Sequence, residues 1–134
     1  MDKFEELLHS LGQVAHISLH PDKNRACLLT VNNRLHIQLE MDDLEERLLV
    51  ATFICEVPPG KFRESIFRET LKANNRFPRL GTLAFLVRTG QLAFFEYLPF
   101  IQLSGEKLYA FLELFSMQAD SWHTAIEGGR PGPL

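Results

Sequence analysis

The sequence predicts an α+β fold: an antiparallel twisted sheet with three helices in the order α-ββββ-α-ββ-α. Three observations predict it. Apolar residues recur at helical spacing near both ends of the chain and in its middle. From Val14 to Val57 the period changes to two. Residues 81–98 then read as a hairpin that is apolar on both faces. A length of 134 residues fits one domain, taken as 1–127, that can bury a proper core, with 128–134 as a disordered tail.

The first helix is carried by Phe4, Leu7, Leu8 and Leu11, spaced i, i+3, i+4, i+7. Asp2 followed three residues later by Glu5 resembles a capping box, and Gly12 is the expected stop. A short first strand is expected at Ile17 and Leu19, which alternate with Ser18 and His20. The turn cluster Pro21-Asp22-Lys23-Asn24-Arg25 separates it from a strand at 26–31. Asn32-Asn33 suits a two-residue hairpin turn because asparagine tolerates positive φ. The next strand has the cleanest alternation: Leu35, Ile37, Leu39 and Met41 face one way and Arg34, His36, Gln38 and Glu40 the other. After an acidic loop at 42–46, the stretch 47–57 is apolar on both faces and completes a four-stranded meander.

Pro58-Pro59-Gly60 ends the meander and launches a second helix over about 61–76. Its apolar positions cover roughly half its girdle at 100° per residue. Such a helix is either deeply seated in its own domain or shared between its own sheet and a second subunit. Phe77-Pro78 breaks it. The hairpin follows, with Thr89-Gly90 at its tip and Pro99 at its end. Ser104 can cap a third helix, in which Leu108, Phe111, Leu112, Phe115, Ala119, Trp122 and Ile126 form one core stripe.

Composition excludes several function classes. With 17 acidic and 14 basic residues the net charge is -3, which argues against a nucleic-acid partner. No apolar run reaches membrane-spanning length, and the start of the chain does not read as a signal peptide. Cys27 and Cys55 lie in strand-like runs without metal spacing and read as two reduced thiols of a cytosolic protein. The five histidines, His9, His16, His20, His36 and His123, read as surface or satisfied core residues; His16 and His20 on one strand would stand roughly 13 Å apart, too far to chelate one metal. No catalytic motif, phosphate loop or metal set marks an enzyme, so no catalytic, cofactor-binding or metal residue is assigned. The two-sided hairpin leaves more apolar strand surface than one short chain can cover, which points to a protein that binds protein.

The ordered set of elements resembles the class I type III secretion chaperones, the CesT/Tir-chaperone family, over about residues 4–126. The residues that carry the resemblance are the helix ending in Leu11-Gly12, then Ile17-Ser18-Leu19, Cys27-Leu28-Leu29-Thr30-Val31 and Leu35-His36-Ile37-Gln38-Leu39. They continue with Leu71-Lys72-Ala73-Asn74, which matches a Leu-x-x-Asn element at the end of the family's middle helix, the hairpin ending in Leu98-Pro99-Phe100, and a last helix bearing Phe115 and Trp122. Asn75-Arg76 departs from the apolar residues often found after that asparagine.

The resemblance implies a bacterial cytoplasmic homodimer that binds the N-terminal region of a secreted effector as an extended segment, keeps it soluble and export-competent, and uses no cofactor. It adds the export ATPase of the secretion system as a candidate partner. The client-binding residues it implies are Leu7, Leu11, Ile17, Leu19, Leu29, Val31, Leu35 and Ile37. The dimer interface it implies contains Phe62, Ile66, Phe67, Thr70, Leu71, Asn74, Phe85 and Phe94. The alternative is a regulatory or docking subunit of the secretion system with the same fold, paired with a paralogue; a small enzyme with an unrecognised polar site is the third reading.

Overall fold

The computed structural model describes residues 2–133, so Met1 and the last tail residue, Leu134, lie outside the described residues. Three helices and five strands follow in the order α1 (Lys3–Ala15), β1 (Ala26–Val31), β2 (Leu35–Asp42), β3 (Arg47–Glu56), α2 (Lys61–Asn74), β4 (Thr82–Leu86), β5 (Gln91–Pro99) and α3 (Gly105–Glu127). The strands form one antiparallel sheet in the order β1-β2-β3-β5-β4.

The expected helix–strands–helix–strands–helix order is present, with one strand fewer before α2. Residues 16–20 are not a strand. Asp22 closes the adjoining turn on itself: its carboxylate accepts the amides of Asn24 and Ala26 at 2.8 and 3.0 Å, and its own amide donates to the Ala26 carbonyl at 2.8 Å. That turn occupies the start of the outer edge of β1, and the Ile17 amide returns to the Gly12 carbonyl at 2.9 Å. His16 and His20 therefore do not share a strand; His16 is the left-handed cap of α1, and the His20 ring meets the Ser18 hydroxyl at 3.1 Å.

The N-terminus of α1 is fixed as expected, with the Glu5 amide donating to the Asp2 carboxylate at 2.9 Å. Its C-terminus lies three residues beyond Gly12. The glycine is required for a different reason: a Cβ there would stand 2.5 Å from the Ile17 carbonyl oxygen. Arg25 ties the start of this helix to the sheet, bonding Asp2 at 2.6 Å and Asp43 at 2.7 Å with its guanidinium over the Phe4 ring. Phe4, Leu7, Leu8 and Leu11 are buried. They join the α3 stripe of Leu108, Leu112, Phe115, Ala119 and Trp122 on one face of the sheet. The two helices meet tightly enough that a Cβ on Gly105 would lie 2.6 Å from Ser10.

Asn32 and Asn33 have the expected positive φ, 55° and 60°, but Val31 pairs with Leu35, so the β1–β2 connection takes in Arg34 as well and is not the two-residue turn expected. The opposite sheet face carries Leu49 and Phe53 of β3, with Phe53 56% exposed, and Ala84, Ala93, Phe95 and Tyr97 of the hairpin, which is thus apolar on both sides.

The segment after α3 is ordered through Pro133 rather than loose. The Arg130 amide donates to the Ala125 carbonyl at 2.8 Å, and Gly132 is buried between Glu69 of α2 and the Trp122 ring. The flat indole accepts a Gly-Pro chain that offers no bulky side chain, which is why a composition read as disorder packs here as a strap.

Candidate functional site

β1 is an edge strand, and backbone parity decides what its edge offers. The Met41 amide bonds the Arg25 carbonyl at 3.0 Å, which sets the bonds toward β2 at Arg25, Cys27, Leu29 and Val31. The N–H and carbonyl groups of Ala26, Leu28 and Thr30 therefore point the other way. Ala26 is used by Asp22; Leu28 and Thr30, both in exposed residues, are left to solvent.

Beside that edge lies an apolar groove of about 300 Å³. Leu11 and Ala15 of α1 form one wall and Leu29, Thr30 and Val31 of β1 another. Ile17 and Leu19 close the side from which the expected strand is missing, Tyr109, Leu112 and Ser116 of α3 line the floor, and Asn32 and the Glu113 carboxylate stand at the polar margin. An ion pair from Arg34 to Asp120 ties the β1–β2 turn to α3 at the groove's end. Ile17 is 53% exposed although it is fully apolar. An added strand on β1 would hydrogen-bond to Leu28 and Thr30 while alternate side chains reach this groove.

The structure brings together Leu11, Ile17, Leu19, Leu29 and Val31 from the residues expected to meet a client. Leu35 and Ile37 are elsewhere: β2 lies inside the sheet, and both side chains belong to the core. Leu7 faces a separate hollow between α1 and the 100–105 segment. The α3 contributions are hidden in the sequence by a stripe that reads as core; half-buried Tyr109, one position from Leu108, is the one signal that the stripe has an accessible flank.

Of the residues expected at a dimer interface, Ile66, Thr70 and Phe94 are buried within the chain itself. Phe94 stacks on Phe115 at 4.7 Å. Phe67 and Phe85 pack on each other at 4.9 Å and are half-buried. Leu71 is 70% exposed on the adjoining side of α2, while Phe62, 36% exposed, lies across the helix from it. Asn74 is engaged within its own chain, where its amide donates to the Leu83 carbonyl at 2.8 Å and its oxygen accepts the Leu83 amide at 2.8 Å.

Both cysteines are free thiols; burial raises both, Cys55 to about 11. Among the described residues no three histidine, cysteine or carboxylate side chains stand together to hold a metal, and no helix is long and apolar enough to cross a membrane.

A free strand edge beside an apolar groove is the arrangement that strand addition by an extended polypeptide requires. The chain belongs to the Tir chaperone protein (CesT) family, whose sequence model matches residues 6–123. No curated protein is significantly similar in sequence. Its fold is similar to that of a chain in the HopA1-SchA chaperone-effector complex, with a TM-score of 0.76 and 18% identity over 92% of this chain and 94% of that one. It is also similar to a chain of the ExsC-ExsE complex, with a TM-score of 0.71 and 22% identity over 92% and 96%. A third likeness is to a chain in the structure of the Yersinia pestis type III secretion chaperone SycH bound to a stable fragment of YscM2, with a TM-score of 0.68 and 15% identity over 88% and 98%.

Proposed function

We propose that this chain is a type III secretion chaperone that binds the N-terminal region of a secreted effector as an extended segment in the bacterial cytoplasm. The observation that carries the reading is the open β1 edge flanked by the groove of Leu11, Ile17, Leu19, Leu29 and Val31. Backbone bonds to Leu28 and Thr30 contribute roughly 0.5–1.5 kcal/mol each with little sequence demand. Each apolar client side chain that fills the groove contributes up to about 1.5–3 kcal/mol. The edge therefore supplies tolerance and the groove supplies most of the affinity and the choice of client. Ordering the client opposes both. The bound segment is kept from aggregating and stays unfolded for export, and the work is binding with no catalytic step.

The same reading makes the chain a homodimer, with Leu71 and the Phe67–Phe85 pair against a second copy, and makes the export ATPase the partner that receives the loaded complex. Leu71→Asp, at an exposed position, leaves the fold intact and yields monomers by native mass spectrometry; a dimer of unchanged stability would move the interface elsewhere.

The test of the main reading is purification from the native bacterium. A complex with a larger protein held through its N-terminal region is expected, and Ile17→Asp together with Val31→Asp should weaken it at least tenfold while the variant stays folded. Undiminished binding by that variant would overturn the placement of the site.

A further inference from the structure

At the far edge of the sheet, a second concavity shares no residue with the groove. We propose that this pocket, between the end of α2, the 75–81 loop and α3, binds an acidic peptide segment bearing an apolar side chain, supplied by a partner protein.

Its floor is apolar and buried. Phe94 and Trp122 are each 3% exposed, and Leu83 is buried. The wall at Asn74 is fixed by the two bonds to Leu83. The volume is about 240 Å³, below the roughly 300 Å³ at which pockets for drug-sized ligands begin. It suits one large side chain rather than a cofactor.

The rim sets the charge. Arg76 and Arg79 line the pocket and no carboxylate does. Arg25, Arg34 and Arg47 each meet an aspartate, whereas Arg76 and Arg79 form no ion pair among the described residues. Arg79 instead lies over the Phe77 ring, 5.2 Å from its centroid. Two unpaired guanidiniums over an apolar floor, in a chain of net charge -3, match a ligand with carboxylates on either side of an apolar group. A basic or neutral segment meets the same floor without the charge match.

Trp122 is the only tryptophan, so its fluorescence reports on this pocket. The probe is a blocked Glu-Glu-Phe-Glu-Glu peptide titrated into the full chain. A saturable change in Trp122 emission is expected, at least tenfold weaker for Gln-Gln-Phe-Gln-Gln and weakening as salt rises. Arg76→Glu with Arg79→Glu should lose at least tenfold toward the acidic peptide and gain binding to Lys-Lys-Phe-Lys-Lys, which also establishes that the variant is folded. Val31→Asp in the groove should leave the titration unchanged, so failure of the groove reading and failure of this one are separable. Equal affinity of the original chain and the double arginine variant, an unresponsive Trp122, or loss of binding in Val31→Asp would each overturn the proposal.

Discussion

At the β4 edge of the sheet the amide and carbonyl of Leu83 meet the side chain of Asn74, both at 2.8 Å, whereas at the β1 edge the equivalent groups of Leu28 and Thr30 face away from any strand. Both edges carry the same liability, a row of unpaired backbone groups that invites another chain. One is capped at Leu83 by a carboxamide that imitates a strand, with α2 laid against it. The other is left open beside apolar residues that their own chain does not bury. The difference teaches which edge leaves room for a foreign strand, and it is the ground on which the proposed binding is put at β1 rather than β4.

The largest expected effect comes from reopening the closed edge. Asn74→Ala removes both bonds at once and leaves two polar groups of buried Leu83 poorly satisfied, at about 1–3 kcal/mol each. A total loss of about 2–6 kcal/mol in urea unfolding is expected, with a rise in self-association as the edge is exposed.

The strap supports the same closure from behind. Gly132→Val puts a Cβ 3.2 Å from Glu69 and 3.3 Å from the Trp122 ring, so the tail and the two side chains must move apart to admit the rest of the valine. A loss of about 1–3 kcal/mol follows from such overpacking, read by the shift in urea midpoint and in Trp122 emission.

At the open edge the contrast is between stability and binding. Thr30→Pro removes an N–H that no internal partner uses, so it should change stability by less than about 1 kcal/mol, a surface-scale effect, yet reduce effector affinity measured by calorimetry. Leu29→Pro, one residue away, deletes a ladder bond to β2 and should destabilise the fold itself. Equal effects of the two prolines would refute the assigned parity.

The smallest effect is electrostatic. The Glu5 amide and then Arg25 hold the Asp2 carboxyl below its ordinary range, and Arg47 does the same for Asp42. A depressed folded-state pKa means that this stabilisation is complete above the ordinary carboxylate range and is lost as pH falls through and below it. Asp2→Asn should slightly flatten the decline in urea midpoint between about pH 6 and about pH 3.

The elements that form the two edges are largely legible in the sequence, but the contrast between them is not. Helical spacing locates Phe4, Leu7, Leu8 and Leu11, and period-two alternation locates Leu29 and Val31. Alternation says which residues share a strand face and is silent on which strand ends up at an edge, so it groups Leu35 and Ile37 with the groove although β2 is interior. Ile17 and Leu19 alternate like a strand for only three residues, too short a pattern to outweigh the Asp22 turn. Gly12 reads as a helix stop because its type permits one, whereas its actual constraint, the Ile17 carbonyl against its α-carbon, is a tertiary contact. Asn74 is marked by resemblance alone; its strand-capping bonds depend on Leu83, nine residues away, and no local spacing encodes them.

Amide hydrogen exchange, followed residue by residue in the free chain and in the effector complex, tests the central claim most directly. Leu28 and Thr30 are expected to exchange fast when free and to become protected in the complex, with Leu83 protected in both states. Leu28 and Thr30 remaining unprotected in a saturated complex would contradict strand addition at β1.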